Sequence, residues 1–252
     1  MKFSGIVCII TGGLGGLGKI TSLKLLELGS KVMIFDLQEP TKNSSPLDFN
    51  SEHLYFQKVD ITNEQQVKTA IENTLNIYGK VNVLINCAGI GYIEPTITNN
   101  GTHDYKKFMK VLNINLVGTF ICCKYAAYYM KENQPDEDNE RGVIINVASI
   151  AAMEGTKGQI AYSASKGGIV GMSMPMARDL GPYKIRVATI APGPINTGIE
   201  MAPYSHKLKD ASVVKRFGFP KEFAMFATHI IENPYIAGSV LRIDGGLVKP
   251  DI

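Results

Sequence analysis

Charge of either sign is nearly absent as a net quantity: the 252-residue chain carries a formal +3, and its basic residues are scattered rather than grouped. A surface built for nucleic acid or an anionic membrane is therefore not supported by charge. No apolar run reaches the ~18 residues needed to span a bilayer, so no membrane insertion is expected and the sequence reads as soluble. Cysteines are few. Cys8 and Cys87 fall on strand-like segments and Cys122-Cys123 are adjacent on a helix-like one, which is neither a disulfide framework nor a metal spacing, and a reducing compartment is the simpler reading. The four histidines, His53, His103, His206 and His229, lack a His-x-x-x-His or carboxylate companion motif, so no metal site is expected.

What is present is apolar residues (45%) and 25 glycines, a composition suited to one α/β domain with a full core over residues 1–252. The run Ile6-Val7-Cys8-Ile9-Ile10 reads as a buried strand. Thr11-Gly12-Gly13-Leu14-Gly15-Gly16-Leu17-Gly18 follows it, then an amphipathic helix to Leu28. Glycines let backbone approach a pyrophosphate closely, and unpaired N–H groups at a helix start attract its charge. A second strand, Lys31 to Phe35, ends at Asp36, close to the spacing expected for an acid on the adenosine ribose hydroxyls. A carboxylate there accepts from a diol and repels a 2′-phosphate. With no arginine in the glycine loop, NAD is favoured over NADP. Asp36 could also merely cap a turn.

Further strands are predicted at Leu54 to Val59, Val81 to Ile85, Gly142 to Val147, Arg186 to Ile190 and Val240 to Ile243. Thr62-Asn63-Glu64-Gln65 resembles a capping box that starts a helix running to about Tyr78. A long helix is expected over about Tyr105 to Lys131, and a later one bearing Tyr162 is expected to kink or break at Pro175. Pro135 to Glu140 reads as a solvated acidic loop. Strands alternating with helices indicate a doubly wound parallel sheet of about seven strands with helices on both faces, and ligands on such sheets bind beyond the strands' carboxyl ends. Polar or glycine-rich groups fall at that edge after six of the strands: the glycine loop, Asp36, Asp60, Asn86, Ser149 and Pro192-Gly193.

Of the eleven tyrosines, Tyr162 alone has a lysine, Lys166, four residues later. On a helix the two share a face. A nearby cation stabilises phenolate and draws a tyrosine pKa down from its usual ~10, which makes Tyr162 a candidate general acid/base. Such a pair is also a common helix-surface contact. Likewise Ser149 has a plain reading as a strand-end serine, and Asn115 as a side chain bonded to its own helix backbone.

Taken together, Thr11-Gly12-x-x-x-Gly16-x-Gly18, Asn86-x-Ala88-Gly89, Asn115, Ser149 and Tyr162-x-x-x-Lys166 resemble, in order and over the whole length, the pattern of the short-chain dehydrogenase/reductase family. The resemblance implies a Rossmann-type fold, nicotinamide-dependent hydride transfer and a catalytic set of Asn115, Ser149, Tyr162 and Lys166. In it Tyr162 moves the hydroxyl proton, Lys166 lowers its pKa and holds the nicotinamide ribose, Ser149 holds the substrate oxygen, and Asn115 anchors a water. Gln159 is a further candidate substrate contact. For NAD, Gly12, Gly16, Leu17 and Gly18 would line the pyrophosphate and Asp36 the ribose. Asp60 and Ile61 would flank adenine, while Asn86, Ala88 and Gly89 pass beneath the cofactor. Pro192, Gly193 and Thr197 would meet the nicotinamide end.

Within the family, the segments Val111 to Phe120, Arg141 to Asn146, Gly158 to Leu180 and Ile230 to Pro234 resemble the members that dehydrogenate 3-hydroxyacyl-CoA and also oxidise hydroxysteroids. An acyl-CoA or steroid substrate is thereby implied. The alternatives are a carrier-protein thioester, a sugar or polyol, or an NAD-binding scaffold of a mitochondrial tRNA-processing complex. The stretch 194–219, where the family places a substrate lid, departs from the pattern: Asn196-Thr197-Gly198 replaces its Thr-Pro step. A homotetramer is implied. The mitochondrial matrix is suggested by resemblance and the cytoplasm by the lack of an Arg/Ser-rich extension before the first strand.

Overall fold

The computed structural model describes residues 1–41, 47–49, 51–198 and 209–247. Seven parallel strands form the central sheet: β1 (Val7–Thr11), β2 (Lys31–Asp36), β3 (Leu54–Lys58), β4 (Val83–Asn86), β7 (Gly142–Val147), β8 (Ile185–Pro192) and β9 (Val240–Ile243). Their spatial order is β3-β2-β1-β4-β7-β8-β9. The strand order therefore reverses direction between β1 and β4, and that switch point opens a crevice at the carboxyl edge. A two-stranded antiparallel ribbon, β5 (Ile97–Thr98) with β6 (Gly101–Thr102), lies outside the sheet and was not legible in the sequence.

Strand side chains alternate between faces, and both faces are covered. Cys8, Ile10, Val32, Ile34, Val83 and Ile85 pack with Leu25 of α1 (Gly16–Glu27) and with Phe223 and Ala227 of α6 (Pro220–Glu232). Ile9, Met33, Phe35 and Leu84 pack on the opposite face against Val67 and Ile71 of α2 (Glu64–Tyr78) and Ala126 of α4 (Thr119–Met130). Near-continuous apolar runs such as Val7 to Ile10 are what burial on both faces demands.

Several local expectations are corrected. The N-cap of α2 is Asn63, whose side chain accepts from Gln66 N–H, rather than Thr62. Thr62 instead donates its N–H and hydroxyl to Asp60. The helical stretch Tyr105–Met130 comprises α3 (Tyr105–Leu112), a π turn (Asn113–Gly118) and α4. It is 26 residues long with a mean hydropathy of 1.2 over an 18-residue stretch, enough by length and composition alone to cross a membrane, where the sequence reading counted no apolar run of that length. Half of the apolar window is buried inside the domain, which accounts for its character by packing.

Helix α5 (Ile160–Leu180) runs through Pro175 without a break. The carbonyl that loses its partner belongs to exposed Gly171, where water can replace the missing N–H. The acidic loop is anchored rather than free: Glu140 is buried and paired with Arg186, and Asp138 lies 3.0 Å from the Met1 amine.

Candidate active site

A cleft of about 870 Å³ runs along the carboxyl ends of the strands. Its floor begins at the turn after β1. Gly12 has a φ of +63°, and a Cβ there would stand 2.8 Å from the Ala88 backbone, so the turn requires glycine. Gly18, in the first turn of α1, approaches so closely that a Cβ would lie 2.3 Å from the Gly12 carbonyl oxygen. That contact seats the helix start over the turn. The N-cap of α1, Gly15, contributes no side-chain cap, and the first turn holds no acid. Uncapped N–H groups thus face a cleft also lined by Gly16 and Leu17, an arrangement suited to an anion.

Asp36 ends β2 at one end of the cleft. Its Oδ2 accepts from Leu14 N–H at 3.1 Å and its Oδ1 from Gln38 N–H at 3.1 Å, so the carboxylate is aimed by backbone at both oxygens. Each oxygen retains capacity to accept from a diol. Asp60 and Ile61 line the same end. Asp60 Oδ1 is occupied by Thr62, through its N–H at 2.9 Å and its hydroxyl at 2.7 Å.

Ala88 and Gly89 form the middle of the floor, and Ala88 N–H donates to Thr11 Oγ1 at 3.2 Å. Asn86, expected beside the cofactor, does not line the cleft. Its buried amide donates to Asn146 Oδ1 at 2.9 Å and to the Cys123 sulfur at 3.3 Å, tying β4 to β7 and α4 from within the sheet. Strand alternation explains this: Cys87, the next residue, takes the cleft-facing position.

At the other end stand Ser149, Tyr162 and Lys166. Pro192 and Gly193 also line the cleft, and Thr197, expected at the nicotinamide end, stands against Gly16 at the start of α1, where a Cβ on Gly16 would lie 2.4 Å from Thr197 Cβ. Ser149 Oγ accepts from Ala151 N–H at 3.1 Å, which caps a 3₁₀ turn (Ile150–Ala152) and fixes the hydroxyl beyond the end of β7. Burial raises the pKa of the Tyr162 phenol, opposed by a hydrogen bond from Ser149 that favours the phenolate. Lys166 is buried, its Nζ donates to Val147 O at 2.7 Å, and desolvation pulls its pKa down to about 8. Here the sequence reading needs correction. The ammonium sits 5.7 Å from the centre of the Tyr162 ring, and burial, rather than attraction to the cation, dominates the phenol.

Asn115 does not line the cleft but stands behind Gly89. A Cβ on Gly89 would lie 3.2 Å from Asn115 Oδ1 and 3.6 Å from Lys166 Nζ. The Asn115 amide clasps Ile90 at both backbone groups: Oδ1 accepts from Ile90 N–H at 2.8 Å, and Nδ2 donates to Ile90 O at 2.9 Å. Its side chain is therefore spent across the fold rather than on its own helix.

Gln159, a candidate substrate contact, is turned back onto its loop, where Oε1 accepts from Thr156 N–H at 2.9 Å, and it does not line the cleft. Sequence reasoning missed Ile90, Val147 and Ile195 as lining residues, although each adjoins a segment it did single out. Of the stretch 194–219, expected as a substrate lid, residues 199–208 lie outside the described residues. Its described ends are joined by a parallel bridge between Ile195 and Gly218 and by Asn196 N–H donating to Gly218 O at 2.8 Å.

Residues 6–207 match the model of the short chain dehydrogenase family. The chain belongs to that family and is an oxidoreductase acting on hydroxyl groups, with a nicotinamide cofactor implied. It is 41% identical to the human 3-hydroxyacyl-CoA dehydrogenase type-2 over 249 residues, covering 96% of this chain and 95% of the relative. The 3-oxoacyl-[acyl-carrier-protein] reductase of Bos taurus is 33% identical over 241 residues, covering 96% and 97%. The crystal structure of the Mycobacterium avium 3-hydroxyacyl-CoA dehydrogenase type-2 superposes with a TM-score of 0.90 at 33% identity over the whole of both chains.

Proposed function

We propose that this chain is an NAD-dependent dehydrogenase interconverting a secondary alcohol and a ketone, with 3-hydroxyacyl-CoA and 3-oxoacyl-CoA as the main pair and hydroxysteroids as further substrates. One observation carries the reading. Tyr162, Ser149 and Lys166 share one end of a cleft whose other end is closed by a carboxylate, Asp36, with a glycine floor between. The likeness to the acyl-CoA dehydrogenases named above, stronger than that to the carrier-protein reductase, supports the thioester.

The glycines let the turn after β1 close against Ala88 and the start of α1, which leaves the uncapped N–H groups of α1 for a pyrophosphate, and the Asp36 oxygens suit ribose hydroxyls while repelling a 2′-phosphate. When bound, the nicotinamide supplies or accepts the hydride. The chain's own task is the proton. Ser149 holds the substrate oxygen, and Tyr162 Oη takes the hydroxyl proton in oxidation or returns it in reduction. The raised phenol pKa keeps Tyr162 protonated near neutrality, ready to donate to a forming alkoxide. Reduction should therefore hold up at neutral pH, and oxidation should rise with pH as phenolate forms.

The deciding measurement is turnover of acetoacetyl-CoA with NADH against NADPH, beside carrier-protein thioesters, hydroxysteroids and short secondary alcohols. A preference for NADPH, or for the carrier-protein thioester, rejects the assignment. We also propose a homotetramer, supported by the outward apolar side chains Val117, Phe120 and Tyr128 on the π turn and α4, and Ile160 and Met174 on α5. Sedimentation of the purified protein tests it. The mitochondrial matrix, with the cytoplasm as alternative, is our proposal for its location, to be checked by imaging the tagged full chain.

A further inference from the structure

Between Tyr162 and Lys166 on α5 sits Ser165, fully buried and outside the cleft. Its hydroxyl makes two bonds of opposite sense: it donates to Tyr162 O at 2.7 Å and accepts from Asn115 Nδ2 at 3.0 Å. Asn115 Nδ2 gives its other proton to Ile90 O at 2.9 Å. A primary amide has two N–H donors, so both are used, and the arrangement around Asn115 is saturated on the donor side. The result is one continuous chain of hydrogen bonds from the Ile90 backbone, through Asn115 and Ser165, to the Tyr162 backbone.

The ends of this chain belong to different parts of the cleft. Ile90 follows Ala88 and Gly89 on the floor, and Tyr162 stands on the wall. The tie spans 25 residues to Ile90 and 50 to Ser165, so no local backbone geometry could substitute for it. We infer that Ser165 is a positioning residue that fixes the Tyr162 wall against the Ala88 to Ile90 floor, and that it does so through Asn115. The inference rests on the reading of Tyr162 as the proton-transferring group. A misplacement of about 1 Å at a reacting group can lower a rate up to a hundredfold.

A merely structural serine and a positioning one differ in how their loss combines with that of Asn115. Ser165→Ala should lower kcat for acetoacetyl-CoA reduction about tenfold, with the KM for NADH within twofold of wild type and the circular dichroism unchanged. In an Asn115→Ala background, Ser165→Ala should cost less than a further twofold, because the chain is already cut. Ser165→Cys, which keeps a weaker donor and acceptor at the same site, should fall between Ser and Ala. Equal kcat for wild type and Ser165→Ala, or full additivity with Asn115→Ala, overturns the inference.

Amide hydrogen exchange on the protein alone gives a readout independent of substrate. Ser165→Ala should speed exchange at Ile90 N–H while leaving the β1 amides unchanged, and unchanged exchange at Ile90 counts against the tie. A wild type that fails to turn over acetoacetyl-CoA rejects the substrate assignment, whereas an active wild type with an indifferent Ser165→Ala rejects the positioning role.

Discussion

The two ends of the cleft are built in contrasting ways. At the Asp36 end the glycine turn, the start of α1 and Asp36 lie within one strand-turn-helix unit and the end of the next strand, with Asp60 and Ile61 added from just beyond β3, and each oxygen of Asp36 is held by a backbone N–H no more than 22 residues away. At the Tyr162 end the groups come from the turn after β7, the π turn, the floor after β4 and α5; Asn115, Ser165 and Lys166 are buried, and Ser149 and Tyr162 are half-buried at the cleft. The first end is a local design, tolerant of change elsewhere. The second depends on long-range packing, whose desolvation shifts both titrating side chains in directions opposite to those they would take in an open ion pair.

The contrast can be broken most severely at the proton-handling end. Tyr162→Phe removes the titrating group and should reduce turnover by about 10²- to 10⁴-fold, the usual worth of a positioned acid or base, with NADH affinity nearly unchanged by fluorescence titration. Retained turnover would dismiss Tyr162 as the proton carrier.

Lys166 tests the burial argument through stability. Its pKa falls from 10.5 to about 8 on folding, so between those values the unfolded chain binds more protons and this group's contribution to stability rises with pH. Below pH 8 the cost of burying the charge is fully felt. The stability difference between wild type and Lys166→Met should therefore move by about 3 kcal/mol in favour of wild type from pH 8 to 10.5 in urea titrations. A difference that is flat with pH would show that Lys166 is not desolvated.

At the opposite end, Asp36→Ala should weaken NAD by roughly ten- to a hundredfold, as expected for losing hydrogen bonds to a charged acceptor, and relax selection against NADP. Gly18→Ala places a methyl group 2.3 Å from the Gly12 carbonyl, and should destabilise by about 1 to 3 kcal/mol and impair cofactor binding. Gln159→Ala should have the smallest effect, less than about twofold in KM for substrate, because its amide serves Thr156.

How much could be read beforehand follows the same division. The seven strands, the glycine turn and Asp36 were legible because each rests on a local signal: a buried apolar run, a turn that only glycine fits, an acid at a strand end. The roles of Asn86 and Gln159 were not. Asn86 and its neighbour Cys87 differ only in which way the strand presents them, and a glutamine at a helix start gives no sign of whether it faces cleft or loop. The anchoring of Glu140 by Arg186 and the uninterrupted α5 were likewise hidden, since both depend on what lies nearby in space.

By itself, the sequence determined the alternation of strand and helix, and hence a parallel sheet with a ligand edge, because burial on two faces leaves a periodic record in the chain. It also determined that a phenol and an ammonium share one helix face. Only the tertiary structure decided what that pair experiences. Burial sets both pKa values, and the bonds that fix Tyr162 against the floor join residues far apart in the chain, whose hydrogen-bonding partners no spacing rule can supply.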